Sequence, residues 1–155
     1  MHIFFDMDYT LISARGDLRP KVTNTFCRLV QDGHQLYIWS GIGIRKSEVE
    51  ILGLDVYVQG VYLKPVPGIQ MPTAEQYIFQ LQAQLRRREL PVEPDLVVDD
   101  YPEFASAHGG IAVHPYIDGD LDDLEMDRVY RLITVYSTTG ECQEAGFYLK
   151  IPEGT

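Results

Sequence analysis

Short apolar runs that stop abruptly at acids or hydroxyls set the tightest limit on how this chain folds. Ile3-Phe4-Phe5 stops at Asp6, the run from Gln35 to Trp39 stops at Ser40-Gly41, and Leu96-Val97-Val98 stops at Asp99-Asp100. Apolar runs this short, without polar alternation, read as strands buried on both faces, with carboxyl ends emerging at polar residues. The segments between them turn helical. Val22, Phe26, Leu29 and Val30 recur at three- and four-residue spacing from Pro20 to Asp32, and Gly33 supplies the stop. A short helix is expected from Ile44 to Leu52 and a third strand from Asp55 to Val58. Thr73 with Gln76 forms a capping-box pattern ahead of a helix through Ile78, Leu81 and Leu85 to about Arg88. Ile111-Ala112-Val113 is a fifth strand, followed by a helix from about Leu121 and a hairpin around Thr139-Gly140, a C-terminal extension over residues 121–155. Alternating strands and helices imply right-handed crossovers, hence an α/β, Rossmann-like three-layer sandwich with a mainly parallel central sheet in one domain. Such sheets bind ligands beyond the carboxyl ends of their strands.

Charge narrows the partners. With 13 Lys plus Arg against 23 Asp plus Glu, the net charge is −10, and ten of the acids lie between Asp95 and Asp127, where no Lys or Arg occurs. A chain so acidic repels polyphosphate backbones, which makes it a poor nucleic-acid binder. Arg86-Arg87-Arg88 ends an expected helix and suits its negative terminus better than a nucleic acid. No stretch approaches the roughly 18 apolar residues of a membrane helix, so no membrane association is expected. Cys27 and Cys142 lie far apart and match no metal spacing, as befits thiols in a reducing, cytoplasmic compartment. Asp118-Gly119-Asp120-Leu121-Asp122 imitates the start of a calcium loop but has Asp123 where glycine is needed and Val129 where glutamate is needed. These acids are instead expected at the start of the last helix.

The strand ends carry the chemistry: Asp6 and Asp8 after the first, Ser40 at the second, Lys64 after the third, Asp99 and Asp100 at the fourth. Carboxylates converging in one crevice raise one another's pKa unless a cation neutralises them. Mg²⁺ suits that role, because it takes carboxylate oxygens and leaves positions for water and phosphate. A lysine and a hydroxyl beside it suit the remaining phosphoryl oxygens, as phosphoryl transfer requires.

In this order the residues resemble a family. Phe5-Asp6-Met7-Asp8-Tyr9-Thr10-Leu11 resembles the Asp-x-Asp-x-Thr signature of the haloacid dehalogenase-like superfamily of phosphohydrolases. Leu36-Tyr37-Ile38-Trp39-Ser40, Lys64-Pro65-Val66-Pro67 and Asp95-Leu96-Val97-Val98-Asp99-Asp100 resemble its second, third and fourth motifs, and Leu18-Arg19-Pro20 and Gly33 are similarly placed. Tyr9 departs from the pattern, standing where glycine is commonest. The resemblance implies that Asp6 is a nucleophile forming an aspartyl-phosphate and that Asp8 is the general acid and then base. By it Ser40 binds a phosphoryl oxygen and Lys64 offsets charge. The resemblance implies too that Asp6, the Asp8 carbonyl and Asp99 hold Mg²⁺, with Asp100 assisting directly or through water.

The gaps between motifs leave no room for a large cap, as in a minimal member. An open site suits a phosphorylated small molecule or the phosphorylated end of a macromolecule, with a homo-oligomer as one way to supply the missing cover. The loop Ile12 to Asp17 is a candidate flap, with Arg15 on it, and His114 follows the fifth strand on the same side. The function expected is Mg²⁺-dependent phosphomonoester hydrolysis. The alternative is a non-enzymatic phospho-acceptor or binding module of receiver-like chemistry, although a receiver has its acidic pair after the first strand and its acceptor after the third.

Overall fold

The computed structural model of the chain describes residues 1–151. In chain order the elements are β1 (His2–Asp6), α1 (Val22–Gln31), β2 (Gln35–Ser40), α2 (Lys46–Ile51), β3 (Val58–Leu63) and α3 (Ala74–Arg86). There follow β4 (Leu96–Asp99), α4 (Pro102–His108), β5 (Gly110–Ala112), α5 (Glu125–Thr139) and β6 (Phe147–Tyr148). They build an α/β fold on one six-stranded sheet in the order β3-β2-β1-β4-β5-β6, parallel except for β6. Strand alternation divides the core. Ile3, Phe5, Leu36, Ile38, Leu96 and Val98 face one way, under α1, α2 and α5, which contribute Phe26, Leu29, Val49, Val129 and Leu132. Phe4, Tyr37, Trp39 and Val97 face the other way, under Tyr77 and Leu81 of α3 and Phe104 of α4. The chain moves outward from β1 to β3 and then returns to β4 on the far side of β1. That reversal places α3 on the opposite face from α1 and opens a crevice between the ends of β1 and β4.

Four local expectations are corrected. The third strand is Val58–Leu63, not 55–58, because the Tyr57 N–H closes a turn on Leu54 and pairing starts only at Val58. Three residues of β3 span where two of β2 do, so a bulge sits at Gln59-Gly60, and the glycine masks the strand's pattern. The helix α4 is additional: seven residues are too few to show a period, although Pro102 at its start and Gly109 after it are proper punctuation. The last helix starts at Glu125 rather than about 121, since Asp120 and Asp123 spend their carboxylates on the backbone N–H groups of Asp122 and Glu125 in a turn. No hairpin forms around Thr139-Gly140. Thr139 ends α5, Gly140 closes it in the left-handed conformation, and β6 pairs with β5 instead. Residues 152–155 of the expected extension lie outside the described residues.

Candidate active site

The crevice between β1 and β4 brings three carboxylates together. One oxygen each of Asp6, Asp99 and Asp100 lies within 4.8 Å of the others, with Asp6 and Asp99 buried. Lys64, projected from the end of β3, answers two of them: Nζ is 2.6 Å from Asp99 Oδ2 and 3.4 Å from Asp6 Oδ1. Its ammonium also rests 4.3 Å from the centre of the Phe104 ring, so α4 supports it from below. Thr10 straps the two strand ends. Its Oγ1 accepts the Asp100 N–H at 3.0 Å and can donate to Asp6 Oδ2 at 3.1 Å or Asp100 Oδ1 at 3.3 Å. Asp99 Oδ1 accepts the Tyr101 N–H at 2.9 Å, which fixes the rotation of that carboxylate.

Charge balance here is incomplete. Burial, and then the Asp99 charge, push Asp6 well above the ordinary carboxylate range, and Lys64 offsets only part of this. Burial raises Asp99 as well, against the pull of Lys64. Burial pulls Lys64 down, but Asp99 and Asp6 more than reverse it, so the ammonium is held charged. Three carboxylates, only two of them contacted by the one ammonium, leave an excess of negative charge that a bound cation would neutralise. An all-oxygen donor set of this kind fits a hard divalent ion.

Asp8 stands apart from that group. Its Oδ2 accepts from Arg45 Nη1 at 2.5 Å, and Arg45 in turn grips Glu48 through Nε and Nη2. Arg45, Thr10 and Phe104 are site residues that sequence reasoning passed over. Thr10 was visible within the signature. Arg45 carried no signal except its place between the second strand and a helix whose first turn holds Glu48.

The remaining candidates fall as follows. Ser40 is buried at the end of β2 and its Oγ accepts the Ile42 N–H at 3.3 Å. The segment Ile12 to Asp17 is a closed turn: the Ser13 N–H bonds the Asp17 carbonyl, and the Ser13 hydroxyl takes the N–H groups of Arg15 and Asp17. Arg15 is exposed at its tip. His114 is exposed and engages through its backbone, its N–H to Glu125 and its carbonyl to Arg19. Arg19 itself is fully buried, forked onto Asp123, and donates to the Thr10 carbonyl at 3.1 Å, so it fixes the loop that follows β1. Tyr9, beside Asp8, holds a positive φ of 63° with its ring partly exposed. Among the described residues no helix is long and apolar enough to cross a membrane.

No family model and no curated protein matches the chain. A solved crystal structure is similar at a TM-score of 0.44 and 12% identity, over 91% of this chain and 85% of that one, a likeness too distant to carry function.

Proposed function

We propose that this protein is a Mg²⁺-dependent phosphomonoester hydrolase of the haloacid dehalogenase-like type, working through an aspartyl-phosphate on Asp6. The observation that carries this is the three-carboxylate group at the sheet's switch point, with the buried Asp6 sharing one ammonium with Asp99. Asp6, Asp99, Asp100 and the Asp8 backbone carbonyl would hold Mg²⁺, which when bound supplies charge for the phosphoryl oxygens and offsets the carboxylates. An Asp6 oxygen attacks phosphorus, the ester P–O bond breaks, and Asp8 protonates the departing oxygen. Asp8 then takes a proton from water, which cleaves the acyl phosphate and restores Asp6. Lys64 screens the approach of nucleophile and phosphate, and the Ser40 hydroxyl hydrogen is directed to a phosphoryl oxygen. One short helix fills each of the connections β1 to β2 and β2 to β3, which supports an open site for a phosphorylated small molecule or macromolecule end.

The test is hydrolysis of an aryl phosphate with and without Mg²⁺. Turnover should require the metal, vanish in Asp6→Asn, and fall by about 10² to 10⁴ in Asp8→Asn, the usual worth of a positioned proton donor. An inert wild type, or full activity in Asp6→Asn, refutes the proposal. A stable aspartyl-phosphate that does not turn over favours the phospho-acceptor alternative.

A further inference from the structure

Arg45 is built into the site in a way that hydrolysis of a plain phosphate ester does not require. Its side chain is only 12% exposed, so it is no solvated surface arginine. The Nε and Nη2 edge is clamped on Glu48 in the first turn of α2, which leaves Nη1 to reach across to Asp8. The hydrogen bond to Glu48 leads in holding this guanidinium charged, and Asp8 adds to it. Among the described residues Lys64 is committed to Asp6 and Asp99, and Arg45 is the cation on Asp8. The loop from Ser40 to Arg45 carries Gly43 at φ 134°, a backbone state that side chains rarely adopt and that brings the chain back toward the strand end.

This pairing has a chemical consequence. Asp8 has two oxygens: Oδ2 accepts from Nη1, which leaves Oδ1 to carry the proton for a departing ester oxygen, so the leaving group passes close beside the guanidinium. A group carried by the leaving alcohol can therefore meet Nη1 beside Asp8. A neutral group placed there gives Nη1 nothing in exchange for Asp8 in a half-buried place. If the substrate brings an anion of its own, Nη1 passes from one acceptor to another while Glu48 keeps its grip.

We propose that Arg45 receives a second anionic group on the substrate, so that the preferred substrates are phosphomonoesters bearing a carboxylate or a further phosphate near the ester oxygen. Their binding draws Nη1 from Asp8 Oδ2 to the substrate's own anion while Glu48 keeps its grip. The inference rests on the hydrolase function proposed above, and its test separates the two.

Three aryl phosphates are compared, with a carboxylate, its isosteric carboxamide, or a second phosphate at the meta position. Each is assayed with wild type, Arg45→Gln and Arg45→Lys in Mg²⁺. Taking ratios between enzymes cancels the intrinsic reactivity of each ester. Wild type should favour the charged esters over the carboxamide in kcat/KM by about tenfold or more, the range of a charge-assisted contact. Arg45→Gln should bring that preference to within about twofold and Arg45→Lys should retain part of it. The carboxylate and phosphate arms show which anion is preferred. An equal loss on all three esters would make Arg45 a mere positioner of Asp8 and overturn the proposal. Calorimetric binding of meta-carboxy and meta-carboxamide phenylphosphonate, which cannot turn over, reads Arg45 without catalysis. A preference for the carboxy compound lost in Arg45→Gln, beside an inert wild type, would sink the hydrolase function while retaining the anion receptor. No preference in either measurement sinks the receptor itself.

Discussion

Acidification should loosen this fold through one histidine. His108 ends α4 with its ring buried, edge-on to Phe104 at 4.5 Å between centroids and to Tyr77 at 6.3 Å, and its Nε2 has no partner among the described residues. Burial, with the Lys150 and Lys64 charges adding to it, brings its pKa from 6.5 to about 4. Folded His108 therefore stays neutral where the unfolded chain has already taken up a proton. Between those two values the unfolded state binds more protons, so stability falls as pH falls, and it levels off below the folded pKa. A gap of 6.5 − 4, about 2.5 units, corresponds to about 3 kcal/mol, a large share of the 5–15 kcal/mol of an ordinary domain. Because α4 carries the Phe104 ring beneath Lys64, this loss bears on the site as well. Urea unfolding of wild type and His108→Leu, in EDTA, should be followed in steps from about pH 7.5 to about pH 4. Lost ring contacts shift the variant by a constant. The raised carboxyls of Asp6 and Asp99 act in the opposite sense, gaining stability as pH falls, and cancel in the comparison. The difference between the two proteins should be flat above pH 7 and move by about 3 kcal/mol in favour of the variant near pH 4. Parallel curves would refute the assignment of a buried neutral imidazole.

Three further outcomes are expected. Titrating Mg²⁺ should raise the thermal midpoint of the wild type, by the equivalent of about 2.7 kcal/mol at a hundredfold excess over Kd; Asp99→Asn should abolish the rise, and an unchanged rise would exclude the three-carboxylate group as the metal site. Arg19→Met strips a buried fork from Asp123 and two donors from the Thr10 and His114 carbonyls. It should cost about 3–5 kcal/mol in guanidinium unfolding, with Arg19→Lys recovering only a minor part. A methyl at Gly110 would collide with the Val97 carbonyl inside the β4–β5 ladder, whereas one at Gly140 meets none of the described residues within 4 Å. Gly110→Ala should cost about 3 kcal/mol and Gly140→Ala about 1 kcal/mol, the penalty of its left-handed backbone alone; equal costs would contradict the strand pairing.

The strands that place the site were legible because burial on both faces leaves an unbroken apolar run in sequence. Phe4 packs under one helix layer and Ile3 and Phe5 under the other, so no position between Ile3 and Asp6 tolerates a charge. The capping box of α3 was legible too, since Thr73 and Gln76 exchange bonds with each other's backbone and depend on nothing distant. What escaped was governed by neighbours. The edge strand β3 is half-exposed and bulged, so it shows neither a buried run nor clean alternation. The two residues of β6 are a strand only because β5 offers an open edge to them.

The acidic surplus follows the same division between local and tertiary cause. Several of its members find a cation that no motif announces: Asp123 has Arg19, Asp127 has Lys21, Glu125 has Arg128, Glu144 has Arg131, and Asp8 and Glu48 share Arg45. Arg45–Glu48 and Glu125–Arg128 are local i,i+3 pairs, whereas the others join residues as far as 106 positions apart and arise only when the chain has folded. The strand-end acids differ in kind. Asp6, Asp99 and Asp100 are forced together by the sheet's change of direction, and Lys64 contacts only the two buried ones. A net charge of −10 spread over the surface would repel phosphate everywhere. Here some surface acids are matched by cations while the crevice concentrates an excess of its own, and a divalent ion bound there would reverse the local sign. Under the hydrolase function proposed above, that crevice is where a chain that otherwise repels polyanions would draw in a phosphate.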